Sequence, residues 1–139
     1  MEEHGLTRPE IPGSMTTKKC VFCNPYADDI VVKNELCYAR WDRFPASKGH
    51  ILVIPFRHSP DPFSLTGGER LALLSLVDDC RTVIEENFHP AGYNIGFNVG
   101  TAAGQTVMHC HCHVIPRYIG DVREPRGGIR GVILGKQFY

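Results

Sequence analysis

The segment that most restricts the fold of this chain is MHCHCHVIPRY, residues 108–118, in which every second residue is a histidine. The histidines are His109, His111 and His113. Small or β-branched apolar residues alternate with them: Cys110, Cys112 and Val114. In a β-strand, residues two apart share one face, whereas on a helix they diverge around the cylinder. The alternation therefore predicts a strand, closed by Pro116, with a buried apolar face and a row of imidazoles on the other face.

The size and charge of the chain restrict its class and partners. It has 139 residues, the size of one ordinary domain, and its 42% apolar content is enough for a core. Because 15 basic residues balance 15 acidic ones, charge favours neither nucleic acid nor a membrane surface as a partner. No apolar stretch approaches the roughly 18 residues of a membrane span, and we recognise no signal peptide. The six cysteines are unevenly spaced, so we expect a reduced, cytoplasmic protein.

The ends of the chain differ from its middle in composition. Residues 1–14, MEEHGLTRPEIPGS, are polar and without periodicity, and we interpret them as a flexible tail or a cloning remnant ahead of a natural start at Met15. Both alternatives stay open. Residues 15–139 are predicted to form a single domain, with a core over 20–118 and an Arg/Gly-rich extension over 119–139 that ends in a strand-capable apolar piece.

Three further segments have the alternation or β-branched content of strands: Glu35–Trp41, His50–Pro55 and Gly92–Gly100. Between them, Thr66 and Glu69 fit a helix capping box. Apolar residues then recur at three- and four-residue steps: Leu73, Leu74, Val77, Cys80, Ile84 and Phe88. This spacing predicts one amphipathic helix of about five turns, ended by Pro90 and Gly92. The short connections favour antiparallel pairing, which gives an α+β domain with the helix packed on one face of the sheet.

The imidazole row suggests chemistry because neutral histidine is both a nucleophile and a metal ligand. A small-residue loop, Gly100–Gly104, precedes it and is followed by Gln105 and Thr106. Exposed backbone amides in such a loop can bind an anion, and a nucleophile beside them suits attack on phosphorus. The alternatives are a pure metal site, or a histidine-rich strand whose neighbouring loop is only a turn.

Cys20 and Cys23 form a C-x-x-C pair near the start of the core. The pair could be a redox motif, two buried thiols, or half of a tetrahedral zinc site whose other ligands come from distant strands. The other cysteines are expected to be buried packing residues: Cys37, Cys80, Cys110 and Cys112.

Two blocks of the sequence resemble those of the histidine triad (HIT) superfamily. HCHCHVIPR is similar to its His-x-His-x-His-x-x signature, and GHILVIP, Gly49–Pro55, resembles a second block. The resemblance extends over roughly 20–118. It is strongest to the bacterial and Fhit-like branch of nucleotide hydrolases, and the tail resembles that of proteins described as diadenosine-tetraphosphate-hydrolase-like. It implies a HIT-like fold that pairs as a homodimer through the helix and a strand.

This resemblance implies a nucleotide hydrolase or nucleotidyl transferase acting on dinucleoside polyphosphates or nucleoside phosphoramidates. His111 would attack the α-phosphorus of a purine nucleotide and form a covalent nucleotidyl-histidine, while His113 and His50 would lie beside the phosphate. Asp42 would bind the ribose hydroxyls; a solvated loop aspartate is the alternative. The remaining substrate contacts would come from the glycine-rich loop and the strand before it: Asn98, Gly104, Gln105 and Thr106. The alternative function is a nucleotide-binding or signalling module with weak catalysis.

The resemblance also implies one structural zinc ion and no organic cofactor. Its ligands would be two thiols and two imidazoles: Cys20, Cys23, His58 and His109. Four arginines in and before the tail could hold a long polyphosphate or a second nucleotide: Arg117, Arg123, Arg126 and Arg130. A solvated loop with a strand at a dimer edge is the alternative. Aromatic and apolar residues near Asp42 could line a base pocket or pack in the core: Phe22, Tyr38, Trp41 and Ile51.

Overall fold

We describe residues 20–139 of a computed structural model of the chain. The interpretations of residues 1–14 and of Met15 lie outside these residues. The described part contains one α-helix and five strands: β1 (Val32–Lys33), β2 (Cys37–Trp41), β3 (Ile51–Pro55), α1 (Gly67–Phe88), β4 (Gly92–Gly96) and β5 (Cys112–Arg117). Four short 3₁₀ helices lie in the connections: Ala27–Asp29, Pro62–Ser64, Thr101–Ala103 and Gly128–Val132.

All five strands form one antiparallel sheet in the order β1-β2-β3-β5-β4. Three residues connect β1 to β2 and nine connect β2 to β3, and connections this short usually join antiparallel neighbours. The crossover from β3 through α1 to β4 leaves a place in the sheet for β5. The predicted α+β class and antiparallel sheet are confirmed.

The two faces of the sheet are buried in different ways. One face packs against α1 and forms the larger core, with buried members from three strands and the helix, among them Ala39, Val53, Leu76 and Val114. The opposite face holds a smaller cluster: Phe22, Tyr38, Leu52 and Ile54. Because His113 pairs directly with Leu52 across β5 and β3, the imidazoles belong to this second face.

The helix begins as its capping box predicts. The Thr66 hydroxyl accepts from the Glu69 amide at 3.1 Å, and the Glu69 carboxylate accepts from the Thr66 amide at 3.0 Å. The predicted buried face is wrong at two positions, because Leu74 is 62% and Phe88 36% exposed. Leu76 is buried instead, between Leu73 and Cys80, which keeps the three- and four-residue steps on one stripe.

The histidine segment is a strand only in its second half. β5 begins at Cys112 because the Cys110 amide donates to the Ser59 carbonyl, 2.6 Å away in the loop after β3, instead of to a strand. The predicted burial alternation holds from Cys110 onward but not at His109, which is fully buried. Pro116 lies inside β5 and does not close it as predicted. Since β3 pairs with β5 only up to Val114, Pro116 has a strand neighbour on one side alone and tolerates its missing amide hydrogen.

Other boundaries also differ from the predicted ones. β4 ends at Gly96, so Asn98 lies beyond the strand. In the tail, 119–139, the structure has a 3₁₀ helix and no strand. None of the helices in the part of the chain described here has the length and apolar character needed to cross a membrane.

The residue before His50 is a glycine for a steric reason. Gly49 has φ +85, a conformation that disfavours side chains, and an added Cβ would lie 2.8 Å from Cδ2 of Phe88. The Phe88 ring also packs edge-on against Trp41 at 5.9 Å between centroids. The start of β3 and the last turn of α1 therefore meet at residue 49.

Candidate active site and metal centre

Four side chains of metal-ligating type meet at one end of the imidazole row: Cys20, Cys23, His58 and His109. Their ligand atoms all lie within 4.8 Å of one another. The Nδ1 atoms of the two histidines are 3.2 Å apart, and the Cys23 Sγ lies 3.1 Å from Nδ1 of His58 and 3.6 Å from Nδ1 of His109. A tetrahedral zinc ion with ordinary bond lengths separates its ligand atoms by about 3.4–3.8 Å. The four residues predicted as zinc ligands therefore fit a closed tetrahedral site, which we call the metal group.

The protonation of the metal group also suits a zinc ion. His109, fully buried, donates from Nε2 to the Pro55 carbonyl at 2.7 Å, which leaves the Nδ1 lone pair directed at the thiols. Burial raises the pKa of the Cys20 thiol, but the contacts of its sulfur with the His109 ring, the Phe22 backbone and Cys23 outweigh this and lower the pKa to about 6. A thiolate is the form that binds zinc.

His111 follows the metal group and has a defined tautomer. Its Nδ1 donates to the carbonyl of His109 at 2.8 Å, so the lone pair of the neutral ring is on Nε2. Burial lowers the pKa of His111, which keeps the ring neutral at physiological pH. A neutral imidazole with a free Nε2 lone pair is a nucleophile.

His50 and His113 form a hydrogen-bonded pair beyond His111. The Ala46 amide donates to Nδ1 of His50 at 3.0 Å, so the proton of the neutral ring is on Nε2 and is donated to Nδ1 of His113 at 2.9 Å. His113 then carries its own proton on Nε2. Burial lowers the pKa of His113 to about 4, with the nearby His111 and His50 rings adding to the effect and Asp42 opposing it. The ring centroids of His111 and His113 are 5.1 Å apart.

Asp42 lies against this pair, on the turn that follows β2. One carboxylate oxygen accepts from the Phe44 amide at 2.8 Å, and the other lies 3.4 Å from Nε2 of His50 and 4.0 Å from Nδ1 of His113. We call Asp42, His50 and His113 the His50 group. Its ligand-type atoms also lie within 4.8 Å of one another.

The small-residue loop before the histidines is held by Gln105. The buried Gln105 side chain accepts from the Gly100 amide at 2.8 Å and donates to the carbonyls of Pro60 at 2.7 Å and Val107 at 3.0 Å. In this arrangement the side chain fixes the loop, and its predicted phosphate contact stays a prediction. Gly104 has φ +91 and is exposed, as is Thr106, whereas Asn98 is half-buried.

Some groups that shape the site escaped the sequence analysis. The Pro55 carbonyl and the Ala46 amide set the tautomers of His109 and His50, but a backbone group has no residue-type signature.

Three of the arginines predicted to hold a polyphosphate make contacts within the protein. Arg117 donates two hydrogen bonds to Asp121 and one of 2.6 Å to Asn94. Tail arginines stack on the terminal aromatic rings, Arg126 on Phe138 and Arg130 on Tyr139.

A row of three imidazoles at alternate positions, buried at His109 and half-buried at His111 and His113, on an antiparallel sheet covered by one helix, is the arrangement of the histidine triad class of protein. The chain belongs to this family, because the HIT domain matches residues 25–120.

Relatives within the family include named enzymes. The chain is 37% identical over 110 residues to an uncharacterized 16.1 kDa HIT-like protein of Mycoplasma pneumoniae, covering 76% of each chain. It is 36% identical over 93 residues to AP-4-A phosphorylase of Mycobacterium tuberculosis, and 38% identical over 100 residues to the asymmetrical bis(5'-nucleosyl)-tetraphosphatase of Schizosaccharomyces pombe. Those matches cover 66% and 72% of this chain, but only 48% and 55% of the enzymes. The chain thus spans about half the length of the named enzymes.

Solved structures share the fold. A zinc-bound histidine triad family protein from Mycobacterium smegmatis is 32% identical with a TM-score of 0.65, over 76% of this chain and 83% of that one. A HIT family protein from Bacillus anthracis is 39% identical with a TM-score of 0.62, over 69% and 72%.

Proposed function

We propose that the protein is a nucleotide hydrolase or nucleotidyl transferase that cleaves at the α-phosphate through a nucleotidyl-histidine on His111. The observation that carries this is the 2.8 Å hydrogen bond from Nδ1 of His111 to the His109 carbonyl. It leaves the Nε2 lone pair free, and it would disperse the positive charge that the ring gains when that nitrogen bonds to phosphorus.

The proposed reaction has two displacements. In the first, Nε2 of His111 attacks the α-phosphorus; a P–N bond forms and the bond to the leaving phosphate oxygen or nitrogen breaks with its electron pair. In the second, water attacks phosphorus, the P–N bond breaks with its electron pair returning to Nε2 of His111, and a nucleoside monophosphate leaves with the hydroxyl while the other proton of the water passes to solvent. The proton on Nε2 of His113 is available to a phosphate oxygen, and the His50 pair behind it fixes which nitrogen carries that proton.

The substrate class follows from the family members rather than from a pocket. Two relatives are named as an AP-4-A phosphorylase and a bis(5'-nucleosyl)-tetraphosphatase. We propose dinucleoside polyphosphates as substrates, with nucleoside phosphoramidates as the second class to test. Asp42 would accept from the ribose hydroxyls, and the 100–106 loop would offer backbone amides to the phosphates, with Asn98 and Thr106 at its edges.

We propose that the metal group holds a structural zinc ion. The four-ligand set and its distances leave no position for a substrate, which is typical of structural rather than catalytic zinc. It would connect the segment around Cys20 to the loop after β3 and to His109.

We further propose a homodimer in the cytoplasm. Leu71 and Leu74 on α1 are exposed, and Ile95 lies on β4 at the edge of the sheet, so both the helix and a strand offer apolar surface to a second copy. The six cysteines all lie within the described residues and form no disulfide there, and unpaired thiols are typical of proteins in a reducing compartment. Gel filtration should give twice the 15.5 kDa chain mass, and elution as a monomer would contradict the dimer.

The test is product analysis with matched variants. The protein is incubated with diadenosine tetraphosphate, with and without inorganic phosphate, and separately with an adenosine phosphoramidate. His111→Asn should abolish turnover. His89→Asn makes the same change at the exposed C-terminal cap of α1, where φ is 53 and asparagine is well tolerated, and should leave turnover unchanged.

The products distinguish the possible reactions. AMP and ATP in buffer indicate a hydrolase; ADP and ATP that require phosphate indicate a phosphorylase; AMP from the phosphoramidate indicates a phosphoramidase. Quenching above neutral pH, where a P–N bond survives, should reveal the adenylyl group on His111 by mass spectrometry. Binding of AMP with no turnover and no adenylylated protein would contradict the proposal and favour the nucleotide-binding module.

A further inference from the structure

Phe22 stands between the two cysteines of the metal group and is fixed through its backbone. The Cys23 amide donates to the Cys20 carbonyl at 3.3 Å, which closes the turn around it. The Tyr38 hydroxyl donates to the Phe22 carbonyl at 2.6 Å, anchoring the turn to β2. The Phe22 side chain therefore leaves the turn in a fixed direction, toward the imidazole row.

The Phe22 ring packs against the nucleophile. Its centroid lies 5.1 Å from that of His111 at an interplanar angle of 63°, and 6.0 Å from that of His109 at 89°. The centroid of the His113 ring also lies 5.1 Å from that of His111, at 62°. The His111 ring thus contacts two edge-on rings, and these contacts restrict its rotation.

Two restraints on His111 originate in the metal group. The first is the carbonyl of His109, which fixes the tautomer at 2.8 Å. The second is the Phe22 ring, placed by the turn of Cys20 and Cys23. The first restraint comes from a metal ligand, His109, and the second comes from Phe22, which lies between two metal ligands in the sequence. The group that would hold zinc therefore also determines the orientation of His111.

Resting on the proposed function, we propose that Phe22 is a positioning residue that holds the His111 ring in its attacking orientation, and that zinc binding secures this orientation through Phe22 and His109. A direct contact between Phe22 and a nucleobase is the competing role. Against it, the Phe22 side chain is only 7% exposed and lies in the cluster with Leu52 and Ile54, which leaves little surface for a ligand.

The test compares two Phe→Leu variants within that cluster. Phe22→Leu keeps an apolar side chain but removes the ring edge from His111. Phe56→Leu removes a ring that packs on Tyr38, 5.1 Å away between centroids, from the same cluster. Kinetics with diadenosine tetraphosphate, zinc content by metal analysis, and ¹⁵N NMR of the histidine rings are measured for both variants and the wild type.

For Phe22→Leu we expect zinc to be retained, KM to stay near the wild-type value, and kcat to fall by between about 10- and 100-fold, because misplacing a reacting group lowers the rate of the chemical step. The His111 ring should lose its single Nδ1–H tautomer signature and show averaged nitrogen shifts. Phe56→Leu should change none of these. A raised KM with unchanged kcat would identify a base contact and overturn the proposal, as would equal losses in both variants.

The zinc step is tested on the wild type. Chelator-stripped protein, refilled or not with zinc alone, should lose and regain the His111 tautomer signature, while in Phe22→Leu the added effect of zinc removal on that signature should be smaller. A signature unaffected by zinc overturns the role of the metal. Should the protein show no turnover of any substrate, the proposed function fails, yet the NMR comparison still decides the positioning role. If the zinc-stripped protein unfolds, the NMR comparison of the zinc-loaded Phe22→Leu variant with the zinc-loaded wild type decides the positioning role.

Discussion

Two groups of ligand-type side chains flank His111, and they differ in where the imidazole protons lie. In the metal group, His109 gives its Nε2 proton outward to the Pro55 carbonyl, so a lone pair faces the thiols. In the His50 group, the Ala46 amide occupies the outer nitrogen of His50, so an N–H faces inward. Both groups bring their ligand-type atoms within 4.8 Å of one another.

The difference shows that proximity alone does not define a metal site. A backbone carbonyl on the outer nitrogen prepares a ring to bind a cation, whereas a backbone amide there prepares it to donate a proton. The first group is thus suited to structure and the second to proton placement at the substrate. Each of the following experiments would strengthen or remove this distinction.

The largest effect is expected from disrupting the metal group. Because a structural zinc site contributes its binding free energy to folding, Cys23→Ser should lower the free energy of unfolding by more than about 3 kcal/mol and abolish stoichiometric zinc. Urea unfolding and metal analysis measure both. Cys80→Ala, which alters a buried thiol outside the group, should keep one zinc ion per chain. Full zinc occupancy and wild-type stability in Cys23→Ser would contradict the assignment.

Next in size is the loss of the proton donor in the His50 group. His50→Ala leaves Nδ1 of His113 without the partner now at 2.9 Å, so the proton on its other nitrogen is no longer fixed. We expect kcat with diadenosine tetraphosphate to fall by about 100-fold, with zinc content unchanged. Steady-state kinetics provide the check, and an unchanged kcat would show that His113 needs no donor.

A smaller effect concerns stability and pH. The folded chain holds the pKa of His113 at about 4 because its burial opposes the charge, whereas in the unfolded chain the value is about 6.5. Between about pH 4 and 6.5 the unfolded chain binds more protons than the folded chain. The part of the free energy of unfolding that depends on a neutral His113 is therefore fully present above about pH 6.5 and is lost as the pH falls toward 4.

His113→Asn removes this titration and should therefore retain stability better between pH 6.5 and 4, by about 2–3 kcal/mol relative to its own value at pH 7. Urea midpoints of the wild type and the variant across that range isolate the contribution of His113 from that of the thiolates. Parallel pH curves would mean that the His113 ring is charged in the folded protein.

The last prediction is that a change in the His50 group leaves zinc binding unaltered. If the inward N–H of His50 prevents metal binding, the wild type and Asp42→Asn should bind the same single zinc ion per chain. Titration calorimetry of zinc-stripped protein measures the stoichiometry. A second zinc equivalent that disappears in Asp42→Asn would erase the distinction between the two groups.

Much of the scaffold was predictable because it depends on side-chain patterns. The capping box of Thr66 and Glu69 and the antiparallel sheet were found in this way. The phase of the helix was misplaced at Leu74, since adjacent leucines both fit a broad apolar stripe until packing selects one. The bent backbone at His109 was not predictable either, because the competing acceptor for the Cys110 amide is the carbonyl of Ser59, in a loop 51 residues earlier in the chain.

The site was predictable in its residue types but not in its tautomers. The pattern of histidines and the resemblance to the family identified His111 and the four metal ligands as candidates. Which nitrogen of each ring carries the proton depends on single backbone atoms of Pro55 and Ala46, whose positions come from the tertiary fold. The role of Gln105 in fixing its loop was missed for the same reason.

The contact between Gly49 and Phe88 leaves no room for a side chain at residue 49, so this position restricts sequence change although glycine itself carries no functional group. One methyl group there would overlap the Phe88 ring, and relief would shift the last turn of α1 or the start of β3, where His50 begins the proton chain. A random library over this protein should therefore find residue 49 as intolerant as the histidines. Shortening Phe88 to leucine in the same molecule should restore part of the lost function, because the two positions share one volume.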